Sequence, residues 1–330
     1  MARYWRALRR RLLTPSSSAT KLETRGFHEK SPAARELLET VGESFLTGYG
    51  YAAEARTVDE AADRLEGIPK QFRGFAYEGA AMGFAVRDAL PVGGSGRFAR
   101  FLDGPGDPHV YMAYVGLGWA MARVPRFRWP KSRTTDPLLR WLVLDGYGFH
   151  QAYFRTNRYV HEHFRDPRFP WPDGATAAER AYADRAIDQG IGRALWFVGG
   201  TDPDLVATLI DKFPEPRRAD LYGGAGLAAT YAGGSDEEEL RVFWRRAGEY
   251  RPQLAQGSAF AAEARVRAGL VIPHTHVATK VFCGMSPAEA AQVTHDLRPG
   301  QPTAEGDLPA YEVWRQRIAE KFASFGGVGT

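Results

Sequence analysis

Asp145-Gly146-Tyr147-Gly148-Phe149-His150 sets two glycines two residues apart, directly ahead of an aromatic run. Diverged forms of the arrangement occur at five other places: Glu78-Gly79-Ala80-Ala81, Val115-Gly116-Leu117-Gly118, Gln189-Gly190-Ile191-Gly192, Gly223-Gly224-Ala225-Gly226 and Gln256-Gly257-Ser258-Ala259. The leading glycines stand 37, 30, 44, 34 and 33 residues apart, inside the range of helical repeats. Each motif runs into large apolar residues, such as Met82 and Phe84, Trp119 and Met121, or Leu227 and Tyr231. A repeated unit of roughly 35 residues is the size of two helices.

A helix-interior glycine costs about 1 kcal/mol relative to alanine, so its recurrence needs an offsetting gain: close backbone approach, or a helix start or break. Phe75, Gly79, Met82, Gly83 and Val86 keep the three- and four-residue spacing of one helical face, which places the first motif inside a helix. In the other motifs the glycines are two apart and face different neighbours, so crowding is expected on both sides of the helix. Partner helices are expected from Ser31 to Ala53, from Thr57, from Thr176 to Gly190, from Asp202-Pro203-Asp204, from Ser235 to Tyr250, from Ser286-Pro287, and from Ala310 to Ser324. All but the last of these starts carry Ser, Thr or Asp, three with Pro in the first turn. Strand periodicity is scarce. The expected fold is all-α, a helical-repeat array of about six diverged two-helix units, forming an open superhelix or a closed toroid.

The chain of 330 residues is 44% hydrophobic and 25% charged, as globular proteins are. Its net charge of +4 is concentrated in Arg3, Arg6, Arg9, Arg10 and Arg11, which leaves the remainder near −1. So neutral a body lacks the basic stripe that a nucleic-acid groove requires. Residues 1–25 read as a basic N-terminal arm and 26–330 as a single helical-repeat domain. In the arm, Trp5, Leu8 and Leu12 share one helical face among arginines, a pattern that suits an anionic membrane surface, a docking partner or a loosely packed arm. The longest apolar run, Tyr111 to Ala122, contains two glycines and is shorter than the roughly 18 residues of a membrane span. No secretory signal pattern follows the arginines, so a cytoplasmic location is expected.

Cys283 is the only cysteine, which excludes an internal disulfide and reads as a small buried hydrophobe. His161-Glu162-His163 and His274-Thr275-His276 each place two imidazoles two residues apart, a spacing that chelates from a strand or loop and diverges on a helix. His161 falls in a helical stretch. His274 and His276 follow Pro273 in a segment that reads as extended, the better ligand geometry, although a surface or structural role is the expected one. The glycine pairs lack the strand, third glycine and distant acid of a dinucleotide fingerprint. Neither a cofactor nor a metal is expected.

The polar residues flanking the motif glycines are the candidates for chemistry. Glu78, Asp145, Gln189 and Gln256 immediately precede the first glycine, and His150, Arg193 and Glu263 follow within seven residues. On helices lining a concave interior they converge on a wall expected to contain Phe75, Phe84, Trp119, Phe149, Tyr153, Trp196, Tyr222, Tyr231 and Phe260. Such a pocket suits a hydrophobic small molecule; in the bland alternative the polar groups cap helices and the aromatics are core. Glu78, Asp145, His150 and Arg193 are taken as the catalytic candidates. Asp145 and His150 are five apart and diverge on a straight helix, which weakens them as a direct dyad.

Four segments carry a resemblance: Gly26-Phe27-His28, Phe45-Leu46-Thr47-Gly48-Tyr49, Tyr77-Glu78-Gly79-Ala80-Ala81-Met82, and the block from Asp145 to His150. They resemble an uncharacterised bacterial family found with enediyne polyketide biosynthetic clusters, over about Gly26 to Leu297. The resemblance implies an accessory role in converting a nascent polyene to the enediyne core. It supplies no catalytic residues. Expected partners are therefore an apolar polyketide intermediate together with the polyketide synthase or other proteins of the pathway, with weak membrane-surface contact through the arm and no nucleic acid. Any reaction is expected to be a cofactor-independent cyclisation or acid–base step. The rival readings are a non-catalytic scaffold, whose aromatic set would form an exposed patch, and a terpene-type cyclase, for which no aspartate-rich motif is present.

Overall fold

The computed structural model describes residues 2–91, 94–131, 135–170, 176–300 and 308–326, and among them no strand occurs. In chain order the α-helices are α1 (Ala2–Leu13), α2 (Leu22–Arg25), α3 (Pro32–Glu54), α4 (Val58–Leu65), α5 (Lys70–Ala89), α6 (Arg97–Leu102), α7 (Val110–Arg123), α8 (Trp141–Phe154), α9 (Ala177–Val198), α10 (Pro203–Asp211), α11 (Glu215–Ala232), α12 (Glu237–Ala247), α13 (Arg251–Arg267), α14 (Pro273–Cys283), α15 (Pro287–Asp296) and α16 (Ala310–Gly326). Their starts follow local chemistry. Ser31 caps α3 with Pro32 in its first turn, Asp202 accepts from Asp204 and Leu205 ahead of α10, and Thr176 and Ser286 form complete capping boxes with Glu179 and Glu289.

All six motifs lie inside long helices: α5, α7, α8, α9, α11 and α13. Each first glycine rests on the carbonyl just before the previous motif: Gly116 on Glu78, Gly146 on Val115, Gly190 on Asp145, Gly224 on Gln189 and Gly257 on Gly223. The second glycine of a motif rests on the following helix instead, Gly118 on Val143, Gly148 on Ile187, Gly192 on Leu221 and Gly226 on Leu254. A Cβ at Gly190 would stand 1.9 Å from the Asp145 carbonyl oxygen, so backbone meets backbone with no room for a side chain. These contacts offset the propensity cost of glycine. The register also reaches α3, where Gly79 rests on Phe45 and Gly48 on Ala76. Leu46-Thr47-Gly48 therefore acts as one more unit.

Neighbouring motif helices run parallel: Gly79 lies beside Phe45, and one turn on Gly83 lies beside Tyr49 and Ala52. The chain must run back between them, and it does so through α4, α6, α10 and α12, with shorter 3-10 and π turns at Arg126–Arg128 and Asn157–His161. Of the returning helices, α10 packs on α12 and α12 on α14, giving an outer layer. The inner layer curls until its ends meet. Arg265 on α13 donates to the Gln71 carbonyl at the start of α5 (3.2 Å) and to the Tyr231 carbonyl (2.6 Å), and Tyr111 on α7 donates to Glu263 (3.1 Å). The α5 residue Phe75 meets Tyr231 of α11 edge to face at 5.1 Å.

The basic arm is attached to this body. Arg9 of α1 donates to the Glu54 and Ala55 carbonyls, and Arg10 pairs with Glu54 at 3.0 Å. Thr20 packs where a Cβ on Gly42 would otherwise stand. No helix among the described residues is long and apolar enough to cross a membrane.

Candidate functional site

At about 100° per residue, a face displaced roughly 60° from the first motif glycine carries the residues one before it and three and seven after it. That face points inward. Its positions hold Phe45 and Tyr49 on α3, Glu78 and Met82 on α5, Trp119 and Arg123 on α7, Phe149 and Tyr153 on α8, Arg193 and Phe197 on α9, and Leu227 and Tyr231 on α11, and all of these border one apolar chamber. It encloses about 840 Å³ of empty space, counting the part that opens to solvent. A second space of about 510 Å³ lies beyond it, lined by Val115, Asp145, Phe260, Glu263, Tyr311 and Trp314 among others. Arg193, Leu227 and Tyr231 border both.

The partition between the two carries the polar chemistry. Arg193 forms a buried ion pair with Asp145, and its guanidinium lies 5.2 Å from the Phe149 ring centroid. Gln189 donates to the other Asp145 oxygen at 2.7 Å and to the Tyr311 hydroxyl at 3.3 Å. Burial opposes the charge on Arg193, but Asp145 and Glu78 raise its pKa and keep it protonated.

Glu78 is buried, with 3% of its surface exposed. Burial raises its pKa; Arg193 pulls it down, Asp145 pushes it up, and the net result is about 7. Around it, the Trp119 indole N–H, the Arg193 Nε–H and the Tyr231 hydroxyl have no hydrogen-bond partner within the protein. Trp119 leans toward the carboxyl and holds its pKa down a little, short of hydrogen-bonding geometry. Buried donors are nearly always satisfied, so three unmet donors near a carboxyl poised at neutrality mark a place for a polar group in an otherwise apolar space.

His150 borders the first chamber, edge-on to Trp119 at 5.4 Å and tilted on Phe154 at 4.7 Å. Burial lowers its pKa to about 3, helped by the positive charges of Arg123 and Arg155. It is a neutral ring in the wall, with Nδ1 unpartnered. The structure thus brings Glu78, His150 and Arg193 to one chamber and leaves Asp145 on the other side of the partition, as the counterion of Arg193. Asp145 and His150 do not form a dyad.

Of the expected wall, Phe75, Trp119, Phe149, Tyr153 and Tyr231 line the first chamber and Phe260 the second. Phe84, Trp196 and Tyr222 do not. Phe84 packs on Phe101, while Trp196 and Tyr222 pack on Phe243 of the outer layer. Phe45, Tyr49, Phe154 and Phe197 also line the first wall, and Tyr111, Tyr311 and Trp314 the second. The position three after each motif glycine would have found the wall directly, because it holds Met82, Trp119, Phe149, Arg193, Leu227 and Phe260.

The two histidine pairs do not converge. Pro273 opens α14, so His274 and His276 are helical rather than extended, and they diverge: His274 bonds the Ala229 carbonyl at 2.8 Å while His276 is exposed. His163 lies on the Phe213 ring. Cys283 is buried, which pushes its thiol up to about 12 and leaves it inert at neutral pH.

A family model described as "Protein of unknown function (DUF1702)" matches residues 4–322, a span that takes in nearly all of the basic arm. No curated protein and no solved structure matches the chain.

Proposed function

The chain belongs to the DUF1702 family, and from that premise we propose that it binds a long, unsaturated, apolar chain in the aromatic chamber and moves a proton on it through Glu78. One observation carries the reading: the buried Glu78 carboxyl, its pKa raised to about 7, stands beside unmet donors of Trp119, Arg193 and Tyr231 in a wall that is otherwise almost wholly apolar. A carboxyl near neutrality exchanges protons in both directions at working pH. Arg193 and Tyr231 donate to an oxygen of the ligand and stabilise the negative charge that develops there when a neighbouring C–H loses its proton. The Glu78 carboxylate takes that proton and returns it at another carbon, so double bonds move and no external oxidant or reductant is consumed.

The sequence resemblance extends this reading to a polyketide polyene on its way to an enediyne core, with the protein as an accessory of that conversion. The aromatic set is enclosed rather than displayed as a patch, which favours a small-molecule site over a protein-binding scaffold. The test is mass spectrometry of organic extracts from protein purified out of a host that expresses the matching polyketide synthase. A conjugated apolar compound is expected with the wild type. Glu78→Gln should retain the compound but leave its double bonds unmoved. Extracts free of any apolar compound would remove the proposal.

A further inference from the structure

α3, α5 and α7 run parallel, so their C-terminal ends lie together at one end of the inner layer. Less buried residues of the first chamber's lining mark its mouth: Pro15 and Ala19, Gly42 and Leu46 along the middle of α3, Arg123 at the end of α7 and Phe154 at the end of α8. Among the described residues, the exposed large hydrophobics are Tyr4, Trp5, Leu8, Leu12, Leu90 and Phe127. Each stands near the C-terminal end of an inner helix: four on α1, which is anchored to residues 53–55 at the end of α3, Leu90 just past α5, and Phe127 just past α7. On α1 they form a single outward stripe, Trp5 67% and Leu12 72% exposed, while Arg6, Arg9 and Arg10 turn the other way and bind the body.

Charge accompanies this surface. Arg123 lines the chamber, Arg25 lies over the lining residue Phe154 at 5.3 Å, and Arg155 directly follows Phe154. None of the three makes an ion pair among the described residues, although arginines elsewhere in the body are extensively paired. Unpaired guanidiniums beside outward tryptophan, tyrosine and leucine are the chemistry of a surface that meets lipid headgroups.

We propose that this end of the molecule docks on an anionic membrane surface, with the α1 stripe and Phe127 entering the headgroup region and Arg25, Arg123 and Arg155 binding lipid phosphates. The mouth then faces the bilayer, and an apolar ligand enters the chamber without crossing water. A membrane fits better than a protein partner because the exposed apolar groups stand on a convex helix and on separate chain turns.

The test uses the full-length protein and flotation with phosphatidylcholine vesicles, with and without phosphatidylglycerol, in low and high salt. Binding is expected on phosphatidylglycerol vesicles, at least on the order of tenfold above neutral vesicles, and is expected to weaken in high salt. Trp5→Ser combined with Leu12→Ser should lower partitioning at least about tenfold, and Phe127→Ser, on a different element, should act in the same direction. Circular dichroism and melting confirm that these exposed positions leave the fold intact. Arg123→Gln with Arg155→Gln should reduce the preference for phosphatidylglycerol. Glu78→Gln should float as the wild type does, which separates docking from the chemistry of the chamber. Absence of binding to phosphatidylglycerol vesicles in low salt, or equal binding by the Trp5/Leu12 variant, overturns the proposal in favour of a protein partner for this end.

Discussion

Replacing Glu78 with glutamine preserves the side chain's shape and removes its titration, so the variant isolates what the carboxyl contributes. The group titrates near 4.5 in an unfolded chain and near 7 when folded. Between those values the folded state binds more protons, so its contribution to stability is whole below about pH 4.5 and is lost as pH rises through about 7. The loss is on the order of 3 kcal/mol. Melting midpoints across pH should therefore fall toward pH 8 in the wild type and stay flatter in Glu78→Gln, which should be the more stable protein at about pH 8. Identical slopes would mean that Glu78 is not held near neutrality. Asp145→Asn should behave differently: it leaves the buried Arg193 without its counterion and should cost about 3 kcal/mol or more at neutral pH. His150, its pKa lowered to about 3, should show no imidazole titration between about pH 5 and 8 by NMR.

At the scale of elements, the two glycines Gly223 and Gly224 are adjacent in α11 and meet opposite circumstances. A Cβ at Gly224 would lie 1.9 Å from the Gln189 carbonyl oxygen, which is backbone and cannot yield. A Cβ at Gly223 meets side-chain ends of Arg315 and Gln256 at 3.3 and 3.5 Å. Gly224→Ala should therefore cost about 1–3 kcal/mol or more through overpacking. Gly223→Ala should be close to neutral, since the helix propensity of alanine returns up to about 1 kcal/mol. Denaturant midpoints of the two variants measure the contrast directly, and equal costs would refute the account of the motif as a backbone-to-backbone contact. Both glycines were visible in the sequence as one motif. Which of them touches a neighbouring backbone was legible from the recurrence, because every motif keeps glycine at the place of Gly224, whereas the residue before it varies, being Glu78, Val115, Asp145, Gln189 or Gln256 elsewhere.

For the whole molecule, the arm is where an expectation from composition meets a packed surface. Its arginines suggested a loosely packed basic segment, yet they bind the end of α3, and Pro15, Ala19 and Thr20 border the chamber. Deleting residues 1–20 should leave a cooperative fold with a melting temperature a few degrees lower, and it should widen the mouth. A fluorescent conjugated tetraene fatty acid should then leave the truncated protein several-fold faster in stopped-flow displacement. Unchanged release would mean that the ligand leaves by another route.

The recurrence of small residues, its spacing and the apolar run after each motif were sufficient to establish an all-helical repeat with crowding on both sides of its helices. They also placed a polar residue just before the glycine in Glu78, Asp145, Gln189 and Gln256. Local pattern suffices there because helix formation and face depend on residues within a few turns. Tertiary structure decided the rest. Curling of the array brings Tyr231 to Phe75, and Arg193 to Glu78, across more than a hundred residues of chain, and no local signal encodes such distances. It also gave equivalent positions unequal fates: Asp145 became a counterion, whereas Glu78, with less compensation, was driven by burial toward a neutral pKa. A carboxyl's chemistry is set by the charges and solvent around it, and those are known only when the helices have met.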